Sequence, residues 1–231
     1  MGVGAFVTRW WNSIQPLRED AERRVSPQKR RQRRLILRTA GILLLAAVGW
    51  YAFNYINNAP ERANAQMQAG MRQMQPGSYR EAIAHFDRAL SIAPQLADAY
   101  FERGVAHHVL GESGAALADL DQALELNPDL AGAHNERGSI YRQQGEAEKA
   151  IGELSKSIQA RATMDGYYQR GQAYESLGQH QKAIDDYDQA VAQMPEAPYV
   201  YRARAVAKDK LGDSKGATQD RTKADGIEAV H

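Results

Sequence analysis

The chain of 231 residues contains no cysteine. That absence removes disulfide frameworks, cysteine zinc sites, thiol nucleophiles, dithiol redox motifs and a lipid-bearing N-terminal cysteine together. It leaves the compartment open, because a cysteine-free chain folds in reducing and oxidising spaces alike. Net charge is nearly missing as well: 29 Lys+Arg stand against 28 Asp+Glu, a formal +1. Aromatic residues are sparse at 8%, and only one long apolar run occurs. With 25% of residues charged and 43% hydrophobic, the chain is neither a polytopic membrane protein nor wholly disordered, and its length fits one or two domains.

The near-zero charge conceals a division. Residues 1–62 hold 11 basic and 4 acidic side chains, whereas residues 63–231 hold 18 basic and 24 acidic. A basic arm therefore precedes an acidic module, an asymmetry expected where an arm meets a membrane or a nucleic acid. The apolar run decides between them. From Thr39 to Ile56 no residue is charged, and the run extends to Leu35 around Arg38. At about 1.5 Å per helical residue this length crosses the hydrocarbon core, so 35–57 is expected to be a transmembrane helix. Trp50, Tyr51, Phe53 and Tyr55 gather at one end, as rings do at a headgroup interface, and Arg38 snorkels at the other.

A cleaved signal peptide is disfavoured, since no small-x-small site follows the run and the run starts far from Met1. Arg23, Arg24, Lys29, Arg30, Arg31, Arg33, Arg34 and Arg38 precede or enter the run, against Arg62 and Arg72 just beyond it. The basic side is expected to stay in the cytosol. The membrane contacts are thus 35–57 and the basic arm, 1–34, with 58–62 a linker. Residues 5–15 set Phe6, Val7, Trp10, Trp11 and Ile14 on roughly one face, read as a short interfacial helix or a docking peptide. The basic run from Arg23 to Arg38 lacks interleaved aromatics, so a nucleic acid is not expected as a partner.

The remainder repeats on itself. GSYREAIAHFDRALSIAP, GESGAALADLDQALELNP, GEAEKAIGELSKSIQARA, GQHQKAIDDYDQAVAQMP and GDSKGATQDRTKADGIEA begin at Gly77, Gly111, Gly145, Gly178 and Gly212, spaced 34, 34, 33 and 34. Upstream of the later glycines, AYFERGVAHHVLG, AHNERGSIYRQQG, GYYQRGQAYESLG and YVYRARAVAKDKLG keep the same register. With units at 63–96, 97–130, 131–163, 164–197 and 198–231, the eighth place is Gly70, Gly104, Gly138, Gly171 and Ala205. The twenty-fourth is Phe86, Leu120, Leu154, Tyr187 and Arg221. Small residues at such places let two helices approach closely; Pro94, Pro128 and Pro195 stop the second helix.

These units resemble the tetratricopeptide repeat, a pair of antiparallel helices. The fold expected is all-α: one N-terminal transmembrane helix, then an α-solenoid of about five helix pairs over 63–231. The third unit lacks its proline and one residue near Ala162, and a local shift of stacking is expected there. The fifth puts Arg221 at a large apolar place within a polar second helix, as a terminal cap requires. The first replaces the usual aromatic places with Gln66 and Gln73 and carries a stripe of Met67, Met71 and Met74.

Arg103, Arg137, Arg170 and Arg204 recur at the seventh place and Asp119, Glu153, Asp186 and Asp220 at the twenty-third, a structural ion-pair ladder in which charge reversal at Arg137 should loosen the array. His107 and His134 stand at aromatic places and read as core or semi-core; no histidine pair has metal-ligand spacing, no serine lies in a nucleophile elbow and no phosphate loop is present. The protein is expected not to be an enzyme, with no cofactor, metal or small-molecule substrate.

A stack of helix pairs offers a concave groove lined by first helices. On the register that the resemblance supplies, the groove presents Met67, Met71, Phe101, Val105, His108, Asn135, Ser139, Arg142, Tyr168, Gln172, Glu175, Arg202 and Asp209, and binds segments of partner proteins. Glu102 and Glu136 stand near the places where relatives that clamp a C-terminal carboxylate need Asn and Lys/Arg, so an uncharged or mixed segment suits better than an acidic one. The expected function is a membrane-anchored scaffold or adaptor, holding partners on the periplasmic face of a bacterial cytoplasmic membrane for assembly or stabilisation of a membrane or envelope complex. The alternatives are an anchored receptor with a cytosol-facing array, and an accessory subunit of a respiratory or photosynthetic enzyme bound through its transmembrane helix.

Overall fold

The structure, a computed structural model, describes residues 27–229. The interfacial helix expected at residues 5–15 lies outside the described residues. The described chain forms eleven helices. It divides into two units, Met1–Asn58 and Ala59–His231.

In the first unit, α1 runs unbroken over Pro27–Asn57. Proline at the first helical position is pre-set for the helix and lacks only an amide proton that would be unpaired there. The 23 residues Leu35–Asn57 are long and apolar enough to cross a membrane. Within that stretch the Thr39 hydroxyl donates to the Ile36 carbonyl at 2.9 Å, and Tyr51 and Tyr55, one turn apart, stack at 6.1 Å. Every large apolar side chain along it is exposed.

In the second unit, ten helices follow: α2 Ala59–Arg72, α3 Tyr79–Ile92, α4 Ala97–Val109, α5 Ser113–Leu126, α6 Ala131–Gln143, α7 Ala147–Ala160, α8 Met164–Ser176, α9 His180–Gln193, α10 Pro198–Lys210 and α11 Ser214–Glu228. They form five helix pairs, each packed on the next. Helix α2 starts earlier than the register implied, so residues 59–62, read as linker, are helical. Pro60 and Glu61 in the first turn account for it, the one pre-set in φ, the other facing the positive end of the helix dipole.

The turn inside each of the last four pairs is one device, whereas the first pair is joined by the longer 73–78, with Gly77 at φ +90°. At Gly145 φ is +78°, with the Glu146 amide donating back to the Tyr141 carbonyl at 2.9 Å and the Gly145 amide to the Arg142 carbonyl at 3.1 Å. Only glycine enters that left-handed conformation without strain, and the paired bonds satisfy carbonyls at the helix end. Between pairs the chain uses 93–96, 127–130 and 194–197, but only 161–163 after α7. There Thr163 takes over as cap, its hydroxyl accepting from the Gly166 amide at 3.2 Å.

Within each of the first four pairs the eighth and twenty-fourth places meet. A Cβ added at Gly70 would fall 2.6 Å from the Phe86 ring, at Gly138 2.6 Å from Leu154 and at Gly171 2.6 Å from Tyr187, all three of those large side chains being fully buried. In the fifth pair Arg221 turns to pair with Asp209, and the eighth place is Ala205.

The charged ladder forms along the second helices. Arg103 grips Asp119 with two bonds of 2.8 and 2.6 Å, Arg170 grips Asp186 at 2.8 and 2.7 Å, and Arg204 grips Asp220 at 2.9 and 2.6 Å. Each arginine also reaches back to the preceding pair: Arg103 to Asp87, Arg137 to Asp121, Arg204 to Asp188, and Arg170 to the Ser155 hydroxyl. Tyr100, Tyr167 and Tyr201 lie under the guanidinium groups at 5.5, 5.8 and 5.3 Å. The third rung differs. His134 replaces the tyrosine and takes Glu153 at 2.8 Å through Nδ1, while Nε2 reaches the Pro128 carbonyl at 3.1 Å; Arg137 stands 3.7 Å from Glu153. Of the two histidines at aromatic places, His134 is buried and His107 is half-buried, bonded to Glu112 at 2.6 Å.

Candidate protein-interaction surface

The first helices α4, α6, α8 and α10 touch one another in succession through the fifth place of one and the second place of the next. The Phe101 ring lies over Gly132, where an added Cβ would come within 2.9 Å of it. The Asn135 amide donates to Asp165 at 2.7 Å. Tyr168 meets Tyr199 edge-on at 5.0 Å, and the Tyr199 hydroxyl reaches the Met164 sulfur at 3.5 Å. These contacts join four helices into one continuous face.

About two turns beyond Phe101, His108 binds Glu136 through Nδ1 at 2.8 Å, and this bond raises the imidazole above its ordinary titration range although burial opposes it. Gln172 donates to the Tyr168 hydroxyl at 3.0 Å, and Glu175 accepts from the buried Tyr187 hydroxyl at 2.8 Å. Burial pushes the Glu102 carboxyl up, and the neighbouring carboxylates Asp98 and Glu136 push in the same direction. Arg142 lies on the same helix as Asn135 and Ser139, with its Nε unpaired by the protein.

Of the residues expected along the groove, Phe101, His108, Asn135, Tyr168 and Glu175 are thus knitted across neighbouring helices, and Gln172 bonds to Tyr168 within its own helix. Val105 and Ser139 are half-buried on the same helices. Met71 is exposed, whereas Met67 packs against Ala89, Leu90 and Ala99. Arg202 and Asp209 are tied to α11, Arg202 to Asp225 at 3.1 Å and to Glu228, and Asp209 to Arg221. The second places, Gly132, Asp165 and Tyr199, were missed from the sequence. Their signal was the register itself, since they stand one turn before the fifth places.

Tetratricopeptide-repeat family models match residues 69–135, 109–165 and 165–196. The chain is a tetratricopeptide-repeat protein. Such repeats make a scaffold for protein–protein interaction, a fold typically without enzymatic activity, and they imply protein partners. No curated protein sequence gives a significant match. Among solved structures, a crystal structure of MamA is similar at 25% identity and a TM-score of 0.64, over 69% of this chain and 94% of that one. A structure of MamA from residue 41 to its end, from Desulfovibrio magneticus RS-1, matches at 23% identity and a TM-score of 0.66, over 74% of this chain and 97% of that one, a likeness of fold.

Proposed function

We propose that the protein is a single-pass anchored scaffold whose tetratricopeptide array holds partner proteins at the periplasmic face of a bacterial cytoplasmic membrane, for assembly or stabilisation of a membrane or envelope complex. The observation that carries this reading is the exposure of α1. Its side chains from Leu35 to Ile56 include leucines, isoleucines, Trp50 and Phe53, each more than half exposed. Burying a side chain of that size is worth about 1.5–3 kcal/mol, so a whole helix of them is stable in lipid and not in water. The arginines concentrated before the span, with only Arg62 and Arg72 soon after it, favour a cytosolic arm and an outer array. The concave row from Phe101 to Tyr199 is the surface offered to partners. Anchoring confines that row to two dimensions and raises its effective concentration for membrane-bound partners.

Fusions at the C-terminus test the orientation: alkaline phosphatase should be active and green fluorescent protein dark. The opposite pattern rejects an outer array, and release of the chain by alkaline carbonate rejects the anchor. A photo-crosslinker placed at Phe101 or Tyr168 in cells should give protein adducts that the same group at Gln122, exposed on α5, does not. Equal labelling at all three would reject the concave row as the binding face.

A further inference from the structure

Resting on the reading that the concave row receives a protein segment, the charges along it define that segment's chemistry. Carboxylates occur around the first helices in two settings. Those on the second helices, Asp119, Asp186 and Asp220, are each clasped by a guanidinium at 2.6–2.9 Å. Those on the concave row over α4, α6 and α8 meet no such cation, whereas Asp209 on α10 is held by Arg221. Among the described residues Asp98 and Glu102, one turn apart on α4, have neither a hydrogen-bond nor an ion-pair partner. Glu136 has only His108, and Asp165 has only the neutral amides of Asn135 and Gln169, at 2.7 and 2.8 Å. Of the two arginines expected along the row, Arg202 is held by Asp225 and Glu228, which leaves Arg142. Burial displaces the Glu102 carboxyl upward, the neighbouring Asp98 and Glu136 add to it, and a cation brought by a ligand relieves them.

The other end of the row has a different character. Tyr199 is 44% exposed, leans edge-on against Tyr168, and lies beside Met164, forming an apolar shelf. The acidic end sits at α4 and α6, the shelf at α8 and α10. Two helix spacings of about 10 Å separate them, which an extended chain covers in about six residues.

We propose that the concave row takes an extended segment of a partner protein carrying Lys or Arg and, about six residues away, a large apolar side chain, with the cation among Asp98, Glu102 and Glu136 and the apolar group on Tyr168 and Tyr199. This sharpens the uncharged or mixed segment read from the sequence into a cationic one, because the carboxylates that the sequence scattered over two units converge on one place.

The test pans a random twelve-residue peptide library against the full chain in phosphatidylcholine nanodiscs, counter-selected on empty nanodiscs. Enriched peptides should carry Lys or Arg about six residues from Leu, Met, Phe, Tyr or Trp. A consensus peptide should bind Glu102→Gln and Tyr199→Ala about tenfold more weakly, and a Lys→Glu version of it should regain binding to Glu102→Lys. Glu102 has no partner to lose, so unchanged circular dichroism is expected for both of its variants. Enrichment of neutral or acidic peptides, or indifference to Glu102→Lys, overturns the cationic segment and leaves the groove standing. No enrichment over empty nanodiscs overturns the groove reading and this inference with it.

Discussion

A single methyl group distinguishes two kinds of glycine here. At Gly138 an added Cβ would lie 2.6 Å from the fully buried Leu154, so Gly138→Ala should lower stability by about 1–3 kcal/mol through overpacking. At Gly152, exposed inside α7, nothing lies within 4 Å, and Gly152→Ala should raise stability by about 0.5–1 kcal/mol by restricting the unfolded chain. Denaturant titration of the two variants in detergent checks both signs. Glu153 supplies a pH signature. Burial pushes its carboxyl up, but bonds from His134 and Lys156 and the charge of Arg137 outweigh this and hold it below the ordinary 4.5. Its contribution is therefore complete above that value and is lost as the pH falls through the lower, folded one. In Glu153→Gln the fall of melting temperature on acidification below about pH 4.5 should be shallower than in the parent; an unchanged slope would reject this role.

At the scale of the helix pair, the ladder ranks its own rungs. Arg170 makes two short bonds to Asp186, whose side chain is nearly buried, so Arg170→Met strands a buried carboxylate and should cost about 3–5 kcal/mol. Arg137→Met should cost markedly less, because Glu153 keeps His134 and Lys156. Thermal unfolding of the pair of variants decides it, equal losses counting against the ranking. The register, the five turns, the small-against-large contacts and the arginine–carboxylate rows were all legible in the sequence, because each is fixed by spacing within 34 residues. The early start of α2 was not, since it depends on Pro60 and Glu61 and not on the repeat. Nor were the contacts Asn135–Asp165 and Tyr168–Tyr199, which depend on how far one pair rotates on the next. His134 was correctly placed in the core, but its exchange of a stacked ring for a hydrogen bond to Glu153 needed coordinates.

At the scale of the whole array, each pair buries its apolar side chains against its neighbours, so stability is a sum of units and interfaces. Hydrogen exchange of the full chain should be slowest in α5 to α9, around Leu120, Ile140, Leu154 and Tyr187, and faster in α11, whose Thr218, Gln219, Thr222 and Lys223 are exposed. Uniform protection would show that the array opens as one body. The arginine rows have a mechanical consequence. Since Arg103, Arg137 and Arg204 each hold carboxylates of two successive pairs, a pull along the array loads every clasp in series, and the array should lengthen by one unit at a time, in steps of roughly 100 Å for about 34 residues at about 3.3 Å each. Arg170 alone grasps a neutral hydroxyl behind it, at Ser155. Under tension the array behaves as a ratchet of separable links, able to pay out length under load without losing the units that remain folded.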